Sequence, residues 1–111
     1  MAEVGNVDVT EALEILSLGG FLLDVREDDE WAAGRSDEAI HVPLGDLPDH
    51  LEDLPRGRTI VCVCRSGGRS LRAAHFLAEN GLESVNLEGG MIAWAAQGQP
   101  LISDGATPVI N

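Results

Sequence analysis

The chain has no lysine. Its seven basic residues are all arginine and face 19 acids, for a formal net charge of −12 over 111 residues. A surface this acidic lacks the basic footprint that general nucleic-acid binding requires, and it is repelled by anionic membranes. Cysteine is scarce as well. Cys62 and Cys64 alone cannot build a disulfide framework. Two apart on a strand, their Cα atoms span about 6.6 Å, near the limit for bridging. Both are therefore expected as free thiols, which predicts a cytoplasmic setting. No apolar run approaches the length of a membrane span. The N-terminus, Met-Ala-Glu-Val-Gly, has neither the basic nor the apolar region of a secretory signal. No Gly-x-Gly-x-x-Gly or Walker pattern occurs, so no nucleotide cofactor is expected. His41, His50 and His75 are not spaced for zinc with the C-x-C pair, so no metal site is expected. Composition leaves a Ser-His-Asp triad open, but no Gly-x-Ser-x-Gly elbow presents a serine.

What the chain does have is an alternation of short apolar runs with helical segments. Its length suits one domain with a single modest core. Val7 to Val9 reads as a short strand, and Thr10 as the N-cap of a helix to about Ser17, with Ala12, Leu13 and Leu16 at helical spacing. Phe21 to Val25 is a continuous run with one acid, the mark of a strand buried on both faces. Asp28 to Ala33 is a short helical turn ended by Gly34. Ala39 to Val42 is a strand halted by Pro43. Leu47 to Leu54 reads as a short helix, with Pro48 in its first turn and Pro55 beyond its end. A strand ends at Cys64, and a helix follows from Ser70 to Asn80. Ser84 to Leu87 is a last strand, and Met91 to Gln97 a last helix. The pattern predicts an α/β fold, a mostly parallel central sheet with helices on both faces. Residues 1–100 form the expected domain, and 101–111 a C-terminal tail without helical period.

In such sheets ligands bind beyond the carboxyl ends of the strands. Residues 59–70, Thr-Ile-Val-Cys-Val-Cys-Arg-Ser-Gly-Gly-Arg-Ser, put Cys64 there. A cysteine between a strand end and a helix N-terminus meets oriented backbone N–H groups, which favour negative charge and make the thiolate available as a nucleophile. Gly67 and Gly68 allow the tight curl that aims those groups inward. Arg65, Arg69 and Arg72 lie within eight residues of Cys64, making the local field positive on a negative molecule. The opposing reading is a buried, inert cysteine before an ordinary turn. The two glycines and two arginines that follow Cys64 argue against it, whereas Cys62, inside the apolar run, fits it. Arg72 fits either an anion site or a solvent-facing position.

Three motifs now carry a resemblance to the single-domain rhodaneses, the thiosulfate sulfurtransferase family, from about Val7 to Pro100. Leu23-Asp24-Val25-Arg26 followed by Glu30-Trp31-Ala32-Ala33-Gly34 is similar to that family's D-V-R-x-x-x-E-[aromatic]-x-x-G-H-I. The Cys64–Ser70 loop is the second. Leu87-Glu88-Gly89-Gly90-Met91-Ile92-Ala93-Trp94 is similar to its L-x-G-G-x-x-x-W. One segment departs: where the family reads G-H-I-x-G-A-x-N-I-P, Arg35 replaces the His and Glu38 the second Gly, while Gly34, Ala39 and Pro43 match.

The resemblance implies a rhodanese-like fold and sulfur transfer through a persulfide on Cys64. Its outer sulfur would be cradled by the backbone N–H groups of residues 65–69, and Arg65 and Arg69 would hold the donor's anionic end. Arg65, Ser66, Gly67, Gly68 and Arg69 are thus the expected substrate-binding residues, and Arg26 with Glu30 is expected to fix the scaffold. The implied partners are a small anionic sulfur donor and a thiol or protein acceptor, and a monomer is expected. Two other classes stay open. A sulfur-relay or regulatory module would use the same loop for a protein partner, with little thiosulfate turnover. A cysteine phosphatase or arsenate reductase would resemble C-x5-R, but Ser70 stands where its arginine belongs and Arg69 comes one residue early.

Overall fold

A computed structural model describes residues 3–111. The elements run β1 (Gly5–Val7), α1 (Val9–Ser17), β2 (Phe21–Asp24), α2 (Asp28–Ala33), β3 (Ile40–His41), α3 (Leu47–His50), β4 (Ile60–Val63), α4 (Gly68–Glu79), β5 (Ser84–Leu87) and α5 (Gly90–Ala96). The five strands form one sheet in the order β1-β5-β4-β2-β3, and every pairing is parallel.

The two-residue period of β4 divides the core. Ile60 and Cys62, continued by Cys64, pack on one face with Leu23, Leu47 and with Ala73, Ala74 and Leu77 of α4. Val61 and Val63 point to the other face, toward Val9 and Ala12 of α1 and Met91 and Trp94 of α5. All four β4 residues are buried, as expected of a strand covered on both sides. The connection through α1 therefore crosses one face, and the connection through α4 crosses the opposite one. They part at the C-terminal end of β4, the crevice that parallel α/β sheets offer to ligands.

Local differences from the sequence reading have physical causes. The first strand lies at Gly5–Val7, earlier than Val7–Val9, because Asp8 and not Thr10 caps α1. Asp8 Oδ1 accepts from Glu11 N at 2.8 Å, and Glu11 Oε1 accepts from Asp8 N at 3.1 Å. This reciprocal box satisfies two N–H groups where Thr10 could satisfy one. The expected helix over 47–54 is α3 flanked by 3-10 turns at Leu44–Asp46 and Leu51–Asp53, with Pro48 in the first turn of α3, where its missing N–H costs nothing. Helix α4 starts at Gly68, two residues before Ser70.

Residues 101–111 pack on the domain. Ile102 and Arg35 exchange backbone hydrogen bonds at 2.8 and 2.9 Å, and Asp104 and Val109 donate to the carbonyls of Ala32 and Ala33. Arg35, the residue in place of the family's usual His, pairs with Asp104 at 2.8 Å and stacks over Trp31. His41 stacks on Trp31, with centroids 4.6 Å apart. The altered segment is thereby tied both to α2 and to the C-terminal residues.

Candidate active site

Cys64 follows β4 directly and is 1% exposed. Its Sγ lies at the bottom of a loop that turns at Gly67, where φ is +113°, a left-handed value that a side chain would strain. The turn aims Gly67 N–H at Sγ, 3.1 Å away. Ser70 Oγ, fully buried in the first turn of α4, lies 3.3 Å from Sγ. Burial by itself raises the thiol pKa. The Ser70 hydroxyl and the N–H groups of Ser70, Gly67 and Ser66 outweigh burial and hold Cys64 below its ordinary value.

The loop's outer side is fixed by α5. Met91 N–H donates to the Cys64 carbonyl at 2.8 Å and Ile92 N–H to the Arg65 carbonyl at 3.1 Å. With the carbonyls tied outward, the loop's N–H groups face inward. Helix and loop approach so closely that a Cβ on Gly90 would come within 2.4 Å of the Cys64 carbonyl oxygen and 2.5 Å of the Arg65 oxygen. That approach is the physical content of the Gly89-Gly90 pair.

The arginines of the loop have partners of their own. Thiolate stabilisation comes chiefly from dipoles and a hydroxyl, with the charge of Arg69 adding to it. Arg69 is turned into a two-pronged ion pair with Glu30 of α2, at 2.7 and 2.8 Å. The pair pulls the Glu30 carboxyl from its ordinary 4.5 to about 2, chiefly through the Arg69 hydrogen bonds, and holds Arg69 above its ordinary value. Arg65 is exposed and its Nε donates to the carbonyl of Asn111. Arg72 is exposed on α4. Arg26 and Glu30 do not form an ion pair. Arg26 is fully buried against Asp24 at 2.7 Å and reaches the carbonyls of Glu30 and Gly34. A buried Asp–Arg pair of this kind is retained only with its remaining hydrogen bonds satisfied, and here both carbonyls supply them.

Of the residues singled out by sequence, Cys64, Ser66 and Gly67 meet at Sγ. Gly68 opens α4, while the side chains of Arg65 and Arg69 are engaged by Asn111 and Glu30. Cys62 is fully buried in the core, and burial, with Cys64 nearby, pushes its thiol up to about 12. Sequence reasoning missed Ser70 as a partner of the thiol, and missed Asn86 of β5, whose Oδ1 lies 2.6 Å from Ser70 Oγ. Glu30 was tied to Arg26 and not to the loop. Among the described residues no His, Cys, Asp and Glu group has the arrangement of a metal site, and no helix is long and apolar enough to cross a membrane.

The family model of the rhodanese-like domain matches residues 8–97. The chain belongs to the rhodanese-like family. A putative sulfurtransferase of Bacillus subtilis, YtwF, is 44% identical over 80 residues, covering 72% of this chain and 78% of that protein. Thiosulfate sulfurtransferase 16 of Arabidopsis thaliana is 35% identical over 108 residues, covering 86% and 90%. The solved rhodanese-like domain protein of Staphylococcus aureus superposes with a TM-score of 0.81 at 31% identity, covering 92% of this chain and all of that one. These relatives support a rhodanese-type sulfurtransferase.

Proposed function

We propose that this rhodanese-like domain moves sulfane sulfur from thiosulfate, or a related small anionic donor, to a thiol or protein acceptor through a persulfide on Cys64. The thiolate attacks the outer sulfur of thiosulfate. A Cys64–sulfur bond forms, the donor's sulfur–sulfur bond breaks, and sulfite leaves with the electron pair. An acceptor nucleophile then attacks the outer sulfur of the persulfide, and Cys64 departs as the thiolate. This is two-step covalent catalysis with ping-pong kinetics.

The observation that carries the reading is the setting of Sγ: beneath a tight loop, with Gly67 N–H and the Ser70 hydroxyl on it. The loop is also short. Ser70 is buried against Sγ where a C-x5-R site would need an arginine, which favours a single sulfur over a phosphate ester. The Glu30–Arg69 pair favours one variant of the same chemistry. With Arg69 neutralised, a dianionic donor gains less, so a relay from a protein or low-molecular-weight persulfide is the second reading. Intact mass and peptide mapping after thiosulfate treatment test the proposal. One sulfur atom on Cys64, none on Cys62, and none in Cys64→Ser is the expected result. Cys64-dependent aryl phosphate hydrolysis without sulfur loading from any donor would overturn it.

A further inference from the structure

The Ser70 hydroxyl has one proton and two neighbours that could take it. Asn86 Oδ1 is 2.6 Å away and Cys64 Sγ is 3.3 Å away. The Asn86 amide cannot be turned the other way. Its nitrogen lies 3.2 Å from the Gly67 carbonyl oxygen, which can only accept, and 2.9 Å from Asn6 Oδ1. The oxygen of Asn86 therefore faces Ser70 as an acceptor, and the short contact requires the hydroxyl to donate to it. The lone pairs of Ser70 Oγ then face Sγ, where they accept from a protonated thiol. A thiolate has no proton to give and needs one instead. To supply it the hydroxyl must rotate to Sγ, leaving the oxygen of Asn86, a residue only 3% exposed, without its donor.

We propose that Asn86 is a positioning residue that holds the Ser70 proton away from Cys64 Sγ while the cysteine is a thiol, and yields it when the thiolate forms. The chain Cys64–Ser70–Asn86–Asn6 links the loop to β5 and to β1 at the sheet edge. Every hydrogen bond of the Ser70 hydroxyl and the Asn86 side chain among the described residues goes to one another, to Cys64, to Asn6 or to Gly67. The ionisable groups around the thiol are Cys62 on β4, and Arg65 and Arg69 on the loop, with Glu30 of α2 and its N-cap Glu27 beyond Arg69. None of them hydrogen-bonds to this relay. Asn86 thus opposes ionisation through a competing acceptor and not through charge. A thiolate whose pKa is moderately lowered keeps more intrinsic nucleophilicity than one pushed very low, so such a restraint suits a cysteine that must both attack and leave. The inference rests on Cys64 being the nucleophile of the proposed reaction.

Asn86→Leu removes the competing acceptor at nearly constant shape. The Gly67 carbonyl keeps its bond from Leu71 N–H, and the exposed Asn6 turns to water. The thiolate midpoint of Cys64, followed by ultraviolet absorbance and by iodoacetamide rate against pH, should fall by about half to one pH unit, a roughly three- to tenfold rise in acidity constant, since one hydrogen bond is released to the thiolate. Ser70→Ala should raise the midpoint, and Asn86→Leu in the Ser70→Ala background should then leave it where it is. An unchanged or raised midpoint in Asn86→Leu, or an equal fall in both backgrounds, overturns the proposal. If Asn86→Leu does not fold, the wild-type Asn86 side-chain amide resonances decide. They should move with the Cys64 midpoint and lose that movement in Ser70→Ala; invariant resonances overturn the idea. Both readouts follow the thiol without sulfur transfer. A protein that titrates as described but carries no sulfur therefore refutes the proposed function and leaves this relay standing.

Discussion

Replacing Glu30 by glutamine should make the protein a better user of thiosulfate and a less stable fold. In the wild type, two of the five N–H groups of Arg69 are held in short hydrogen bonds to the Glu30 carboxylate, which also neutralises the charge an anionic donor would meet. That hold is the largest cause drawing the carboxyl from its ordinary 4.5 to about 2, with the Glu27 N–H and the Arg26 charge contributing the remainder. At about 1.4 kcal/mol per pH unit this corresponds to roughly 3 kcal/mol. The side chains are 15% and 30% exposed, so solvent screening reduces the figure to about 1–2 kcal/mol. The glutamine of the Glu30→Gln variant would keep an oxygen for the Glu27 N–H, now bonded at 3.0 Å, but would carry no charge.

Releasing about 1–2 kcal/mol of restraint on Arg69 should raise kcat/KM for thiosulfate about five- to thirtyfold. The same variant should be nearly unchanged with an uncharged persulfide donor. Arg69→Ala should do the reverse, because it leaves the Glu30 charge beside an anion. Steady-state kinetics with the two donors decide the matter. A Glu30→Gln enzyme whose thiosulfate kcat/KM is unchanged or lowered relative to the uncharged donor would falsify the view that Glu30 restrains a substrate-binding arginine. Stability gives an independent check. The folded-state pKa of Glu30 is depressed, so its stabilising contribution is present above pH 4.5 and is lost as pH falls from there toward 2. The melting difference between wild type and Glu30→Gln should be largest at neutral pH and close in acid.

Three further outcomes follow from the same geometry. Iodoacetamide rate against pH should give a Cys64 midpoint below the ordinary thiol value, and Ser70→Ala should shift it upward; a midpoint at or above the ordinary value would mean that the N–H cradle is not formed. Native protein treated with alkylating agent at neutral pH should be modified at Cys64 and spared at Cys62, whose burial holds its thiol at about 12, and modification of Cys62 without unfolding would contradict its place in the core. Gly90→Ala should destabilise by about 1–3 kcal/mol, as overpacking does, and should raise the Cys64 midpoint as α5 is pushed off the loop carbonyls; a variant with wild-type melting and titration would show that the close approach is not needed.

Much of the fold could be read from the sequence because its signals are local. Helix α2 and strand β5 fall where Gly34 and the apolar alternation put them, and the buried run of β2 announced a strand covered on both faces. Where the reading slipped, a distant partner decided. Gly5 and Asn6 have little strand propensity, yet they are held as β1 by register with Val85 and Asn86 of β5. Residues 101–111 have no period at all. Backbone bonds to residues 32, 33 and 35, far away in sequence, fix them on the domain.

The site divides in the same way. Cys64 and its glycines were legible because a strand end, a tight turn and a helix start are consecutive in the chain. Ser70 closes the same loop, but its role shows only through Asn86; the rest is built from residues 6, 30, 86 and 90, which no local pattern joins to Cys64. The arginine cluster shows how proximity in sequence misleads. Three cations within eight residues suggest a strongly positive pocket, but Glu30 neutralises one of them and another, Arg72, faces solvent. Acidic chains have carboxylates to spare, and a loop cation in reach of one is paired before any substrate arrives. Most of what holds charge on the sulfur is short-ranged, the N–H groups of Ser66, Gly67 and Ser70 and one hydroxyl, with Arg69 adding its charge from farther off. Dipoles act over a few ångströms and depend on angle, so the accuracy of the cradle matters more than the number of charges around it. That accuracy is set from outside the loop, by α5 on the carbonyls of Cys64 and Arg65 and by Asn86 on Ser70. A cradle of this construction favours the Cys64 thiolate in a molecule whose net charge would otherwise oppose it.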